Sequence, residues 1–238
     1  VPPLSSKYAV VRVDLRGWGK STVPPEGYPW SMDNFASDIK KLMDKLGLQK
    51  VHLVGTKMGG RIAIHFARDY PDRLHSMTLI TTPMALNTMP NASREQAPKT
   101  AEGKKGLEHW VRSTMQERIG KVDPEMMEWW IKLYSSHSPR VVSEVFDLAW
   151  GTDETSNLAK IKVPTLVIDS KAHPRRSLDG IKKWQSLIAD SKLVVIPVAN
   201  EGRMIAVSEP YACAAALLGF LDDLSHKKSQ ATAQGEVC

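Results

Sequence analysis

The stretch VHLVGTKMGG, at residues 51–60, decides the fold. Its first half is a short apolar run rich in valine, which predicts a buried strand. Residues 59–70 then predict a helix, which Pro71 ends because proline cannot continue it. A strand joined to a helix by a tight, glycine-flanked turn exposes the central side chain of that turn. Here that side chain is Lys57, at the end of the strand and above the amino terminus of the helix.

The alternation of strand and helix continues on both sides of this segment. The predicted strands are residues 8–14, 51–55, 74–81, 165–169 and 192–198, and the predicted helices of the same layer are residues 31–46, 59–70, 177–189 and 209–224. Ser31 is the expected N-cap of the first helix, and Gly47 is its expected C-terminal stop. Repeated β-α units predict an α/β fold with a mostly parallel, twisted sheet and helices on both faces.

Residues 84–159 interrupt this rhythm with a segment that predicts only helices. Two of them begin at the pairs Asp123-Pro124 and Ser138-Pro139, each an N-cap followed by proline. An all-helical insert between two strands predicts a cap over the sheet. The expected domains are a core of residues 1–83 and 160–225, a helical cap of residues 84–159 and a flexible tail of residues 226–238.

The cap holds four of the seven tryptophans of the chain. We expect most of them to form the apolar core of the cap. Trp110 and Trp130 are also candidates to line an apolar pocket for a small-molecule substrate.

Composition excludes several classes of function. The chain has 238 residues, 42% of them apolar, and a formal net charge of +6. No run approaches the ~18 apolar residues of a membrane span, and the basic residues are scattered rather than interleaved with aromatic ones, so we expect no membrane or nucleic-acid partner. Cys213 and Cys238 do not form a disulfide or metal pattern. We expect a cytoplasmic protein that needs no metal and no cofactor.

Further motifs lie outside the central stretch. They are DLRGWGKS at residues 14–21, YPDRL at 70–74, VPTLVI at 163–168 and the pair Glu209-Pro210. With the G-x-nucleophile-x-G layout of residues 55–59, they make the chain resemble the α/β-hydrolase family. The resemblance is to its capped members, which include epoxide hydrolases, dehalogenases and C–C bond hydrolases, and it covers nearly the whole chain.

The resemblance also defines three site positions, and all three are altered. The nucleophile position holds Lys57, the position of the acid holds His173 and that of the histidine holds Arg203. A Ser-His-Asp mechanism needs a hydroxyl, a base beside it and an orienting carboxylate. We therefore predict that the chain has no serine-hydrolase chemistry.

The family implies further strands before residue 8, one of which lies between the first two strands predicted here. Without it, backbone groups of both neighbours would lack partners. Three explanations stay open: the two strands pair directly, a second copy supplies the missing strand in a homodimer, or the chain is a fragment.

Three hypotheses compete for the function. In the first, the helix terminus and Arg203 disfavour the ammonium form of Lys57, and the neutral amine attacks a small ketone or aldehyde, or Lys57 acts electrostatically. His173 would then shuttle protons and Arg203 would hold a substrate carboxylate, with Met58 and Asp169 beside them. The second is an inactive protein that binds a small anion or a partner chain. The third is a relic in which a carboxylate, of Asp169 or Glu201, neutralises Lys57.

Overall fold

The computed structural model describes residues 2–85, 103–171, 177–198 and 203–235. Its strands are β1 (Val51–Thr56), β2 (Leu74–Ile80), β3 (Thr165–Ser170) and β4 (Ser191–Ile196). Its helices are α1 (Pro2–Ser5), α2 (Met32–Lys45), α3 (Met58–Asp69), α4 (Gly103–Ile119), α5 (Pro124–Ser135), α6 (Pro139–Gly151), α7 (Thr155–Leu158), α8 (Leu178–Gln185), α9 (Ile205–Ser208) and α10 (Pro210–Gly235). A 3₁₀ turn, Pro71–Arg73, leads into β2.

The four strands form one parallel sheet in the spatial order β1-β2-β3-β4. One row across the sheet consists of Leu53, Met77, Thr165 and Ser191. The inner strands are almost completely buried, whereas β1 is half exposed at the edge of the described sheet. The prediction of a parallel α/β fold is confirmed.

Helices cover both faces of the sheet because successive strand residues point to opposite sides. On one face α2 and α3 pack against Met77 and Leu79 of β2. On the other face α10 packs against Leu166 and Ile168 of β3. Each layer therefore buries its own apolar cluster.

The structure confirms the predicted starts of three helices and the predicted end of α2. The Ser31 side chain accepts a hydrogen bond from the amide of Asn34 at 3.0 Å. Gly47, just beyond α2, has a φ of 69°, which suits glycine. The side chains of Asp123 and Ser138 cap α5 and α6 in the same way.

The prediction of a buried strand at residues 8–14 is wrong. The structure has no strand there, and Val10, Val11 and Val13 are 38%, 55% and 42% exposed. Only Tyr8 packs on the sheet, with its ring edge-on to His52 at 6.0 Å. A β-branched run becomes a strand only when a neighbour completes its hydrogen bonds, and β1 does not pair with it.

The insert has an apolar cluster of its own, built by α4, α5 and α6. Ala85 and Asp153 form an antiparallel bridge where the insert leaves and rejoins the core. Residues 86–102 of the predicted cap lie outside the described residues. The last helix, predicted to end at 224, continues to Gly235, into the segment predicted as a tail.

Candidate functional site

The backbone of the turn after β1 is strained at Lys57. Lys57 has φ 52° and ψ −119°, a left-handed conformation that costs a residue other than glycine on the order of 1–3 kcal/mol. Its amide donates to the Ile80 carbonyl at 3.2 Å. A Cβ on Gly55 would lie 2.3 Å from the Gly59 carbonyl oxygen, and one on Gly60 would lie 1.9 Å from Thr82 Oγ1. The turn therefore needs both glycines.

The Lys57 side chain reaches the loop that carries Arg203. Its Nζ donates to the backbone carbonyl of Arg203. A carbonyl oxygen accepts this hydrogen bond without neutralising the charge of an ammonium group. At the same time, α3 begins at Met58, and the amino terminus of a helix disfavours a positive charge beside it. The Arg203 carbonyl therefore favours the ammonium form of Lys57, whereas the amino terminus of α3 favours the neutral amine.

The guanidinium of Arg203 reaches helix α4 of the cap. Nη2 lies 3.1 Å from Oε2 of Glu117. The Arg203 amide donates to the Glu117 carbonyl at 3.2 Å, and the Met204 amide donates to the Arg118 carbonyl at 2.8 Å. The carboxylate of Glu117 therefore competes for the guanidinium that we predicted to hold a substrate carboxylate. That role of Arg203 stays a prediction.

Asp169 lies at the carboxyl end of β3 and is fully buried. Its Oδ1 accepts from the Ser170 amide at 2.8 Å. Because parallel strands end at the same edge of a sheet, Asp169 and Lys57 lie at the same end of the molecule. The substrate-binding role of Asp169 stays a prediction.

Of the other predicted site residues, two lie outside the described residues and two pack in apolar clusters. His173 and Glu201 fall outside the described residues. The Met58 side chain packs against the apolar core next to α2 and α3. Trp110 is 8% exposed within the cap cluster, edge-on to Phe146 at 5.5 Å. Trp110 is therefore part of the core of the cap as expected, whereas Trp129 is 57% exposed and does not meet that expectation.

Trp130 lines an open surface cleft of about 530 Å³ between α5 and α9. The other residues of its lining are Asp123, Glu125, Met126, Trp129, Ala206 and Val207. Neither Lys57 nor Asp169 belongs to this lining, so Trp130 faces a different space from the turn after β1.

A buried ionic cluster behind the turn was missed by the sequence analysis. Arg61 and His65 lie on α3, and both contact the buried carboxylate of Glu154. A signal existed in the sequence, since Arg61 and His65 interrupt the apolar part of the helix, before the charged pair Arg68 and Asp69 at its end. Buried charges need partners, but nothing in the sequence identified the partner.

Two classes of site are not found in the part of the chain that the structure describes. No group of three or more His, Cys, Asp or Glu side chains there could hold a metal ion. In the same residues, no helix is both long and apolar enough to span a bilayer.

The geometry agrees with the comparison to known families. A sequence model of the α/β-hydrolase fold matches residues 1–200. Since this is most of the 238 residues, the chain belongs to the α/β-hydrolase fold family.

Curated relatives match the chain over lengths that differ widely. The chain is 30% identical over 208 residues to the AB hydrolase superfamily protein YisY of Bacillus subtilis (strain 168), which covers 82% of this chain and 74% of YisY. A shorter match, 40% identical over 82 residues, is to a fluoroacetate dehalogenase of Burkholderia sp and spans 33% of this chain and 27% of that enzyme.

Solved structures show the same fold. A hydrolase from Pseudomonas aeruginosa PA01 has a TM-score of 0.76 and 23% identity, covering 92% of this chain and 82% of that one. An enol-lactonase from Burkholderia xenovorans LB400 has a TM-score of 0.75 and 20% identity, covering 87% and 78%. At these identities the likeness establishes the fold and not the reaction.

Proposed function

We propose that this chain is a hydrolase-fold enzyme that acts through Lys57 on a small apolar carbonyl or carboxylate-bearing substrate. The observation that carries the proposal is the position of Lys57, held in the strained turn after β1 with Nζ against the Arg203 carbonyl. A lysine there puts a basic group where the family places its nucleophile. Lysine, with its three-donor ammonium, cannot replace a hydroxyl in acyl transfer.

We favour an electrostatic role over a Schiff base. The hydrogen bond from Nζ to a carbonyl oxygen stabilises the ammonium form. A positive charge in this position would bind a carboxylate or stabilise an oxyanion that develops on the substrate. Schiff-base chemistry instead needs the neutral amine, which the amino terminus of α3 favours.

The alternative function is that of an inactive hydrolase-like protein that binds a small anion. In this alternative Lys57 would supply the charge that binds the anion, because the Arg203 guanidinium pairs with the carboxylate of Glu117.

The test is a comparison of wild-type protein with Lys57→Met. We would incubate each with small ketones, aldehydes, esters and 2-oxo acids, follow the products by NMR and measure binding by calorimetry. Lys45→Met, at the exposed end of α2, is the matched control. We expect conversion of at least one compound, a loss of about tenfold or more in Lys57→Met, corresponding to about 1.4 kcal/mol, and wild-type behaviour in the control.

The other outcomes separate the alternatives. Binding without conversion, lost in Lys57→Met, would support the inactive binder. Conversion or binding that survives in Lys57→Met would contradict both.

We also propose that a second copy supplies a strand at the open edge of β1. Val54 of β1 is 44% exposed, and the valines of residues 8–14, which do not pair with β1, are exposed as well. Exposed, apolar strand edges are ready-made pairing surfaces.

A further inference from the structure

The ionic cluster behind the turn is organised around one imidazole ring. His65 Nε2 lies 2.7 Å from Oε2 of Glu154, and Nδ1 lies 2.6 Å from Oδ1 of Asp33. A neutral imidazole has only one N–H, so it can donate to only one of these oxygens. With both carboxylates ionised, the two short contacts require the doubly protonated ring.

The second basic group of the cluster fixes the same carboxylate from the other side. Arg61 is fully buried and donates from Nε to Oε1 of Glu154 at 3.1 Å. Its terminal nitrogens donate to the carbonyls of Ala149 and Thr152, both at 2.6 Å. Arg61 therefore fixes the end of α6 and the segment after it. The ionised carboxylate of Glu154, in that segment, is the anion that pairs with the buried guanidinium.

The charged groups around the ring come from three elements. Asp33 of α2 and Glu154 of the segment after α6 contact the ring itself. Arg61 and Arg68 of α3 contact those two carboxylates, and the further acidic groups are Asp69 beside Arg68 and Asp153 near Arg61. Arg68 donates to both Asp33 and Asp69, and Asn157 donates to Glu154 at 3.1 Å. Loss of the proton on His65 leaves the buried carboxylate with Arg61 as its remaining cation on α3.

The cluster lies where the cap rejoins the core. We call residues 152–157 the return segment. Asp153 of this segment bridges to Ala85, and the Glu154 amide donates to the Met84 carbonyl at 2.9 Å. On the other side, Arg61 and His65 belong to α3, which begins directly after Lys57. One set of contacts thus joins the cap exit to the helix under the candidate site.

We propose that His65 is a proton-dependent latch. In the doubly protonated state it fastens the return segment to α3 through Glu154 and to α2 through Asp33. Loss of one proton breaks one of the two contacts and loosens the return segment. The latch does not depend on the reaction at Lys57.

The direction of the pH effect follows from the surroundings of the ring. Burial by itself would lower the pKa of His65, but the hydrogen bonds and charges of Glu154 and Asp33 outweigh it, so the pKa is raised. The latch is therefore complete below about pH 6.5, the ordinary value, and is lost as the pH rises through the raised pKa.

At low pH the two carboxylates of the latch respond to pH in the opposite direction from His65. The hydrogen bond from His65 lowers the pKa of Asp33, burial opposes it by a smaller amount, and the hydrogen bond from Arg68 lowers the pKa further. Burial would raise the pKa of Glu154, but His65 and Arg61 lower it overall. These contributions are present above the ordinary carboxyl pKa and disappear as the pH falls through the lowered values.

The test is hydrogen exchange of the return segment, measured by mass spectrometry between about pH 6 and about pH 9 and divided by the intrinsic exchange rate at each pH. In the wild type we expect protection of this segment to fall by about tenfold or more across that range. His65→Gln should show low protection at every pH. His109→Gln, which changes an exposed histidine of α4, is the matched control and should follow the wild type.

A milder variant keeps the test valid if His65→Gln fails to fold. Asp33→Asn changes a side chain that is 58% exposed and leaves the Arg61–Glu154 pair intact. Because it removes one anion beside the ring, it should move the midpoint of the exchange profile to lower pH by about one unit. Protection of the return segment that does not change with pH in the wild type, or a midpoint that Asp33→Asn leaves in place, would overturn the latch.

Discussion

Replacing Glu154 by Gln tests how much the buried cluster contributes to stability. The change keeps the shape of the side chain and removes the charge that faces Arg61 and His65. The Arg61 and Glu154 side chains are each only 1% exposed, so water cannot replace the lost partner. Removing one member of a buried ion pair costs about 3–5 kcal/mol. Because glutamine still accepts one hydrogen bond, we expect the lower end, about 3 kcal/mol.

The assay is urea unfolding, supported by a thermal melt. For a chain of this length about 3 kcal/mol corresponds to a decrease of about 6–12 °C in Tm. Glu128→Gln is the matched control, since it makes the same chemical change in an exposed pair with Arg112. Its unfolding midpoint should stay within error of the wild type. If Glu154→Gln loses no more stability than Glu128→Gln, the cluster does not hold the fold as argued.

Three further predictions concern the turn and the sheet edge. Gly60→Ala should cost about 1–3 kcal/mol in urea unfolding, because its Cβ would meet Thr82 Oγ1 at 1.9 Å; an unchanged midpoint would show that the turn relaxes. Lys57→Ser should hydrolyse no p-nitrophenyl ester, since Arg203 supplies no base beside the hydroxyl; rapid turnover would refute this assignment of position 203. Light scattering should find a dimer that Val54→Lys dissociates, and a monomeric wild type would contradict the proposal that a second copy supplies a strand beside β1.

The sequence predicted those parts of the fold that local signals determine. The strand at residues 51–55, the N-cap Ser31 and the stop at Gly47 depend on neighbouring residues only, and each is confirmed. Residues 8–14 carry an equally apolar pattern but form no strand. The difference is non-local, because a strand depends on a hydrogen-bonding neighbour that its own sequence does not describe.

The candidate site shows the same division. The resemblance to the α/β-hydrolase family implied that positions 57 and 203 meet, and Lys57 does contact the Arg203 carbonyl. The pairing of the Arg203 guanidinium with Glu117 was not foreseen. That contact depends on how the cap packs on the core, which spacing along the chain does not encode. His173 lies outside the described residues, so its role stays a prediction.

Borohydride trapping tests the central claim, the electrostatic role of Lys57, most directly. Wild-type protein would be reduced with sodium borohydride in the presence of 2-oxo acids and simple aldehydes, and adducts would be located by peptide mass spectrometry. A 2-oxo acid bound through its carboxylate places its ketone beside Nζ of Lys57. If Nζ were a neutral amine, it would form a Schiff base with this ketone, and borohydride would reduce the Schiff base to a stable adduct. We predict that Lys57 stays unmodified while calorimetry detects binding that Lys57→Met abolishes. A single adduct at Lys57 would contradict the electrostatic role and establish Schiff-base chemistry in its place.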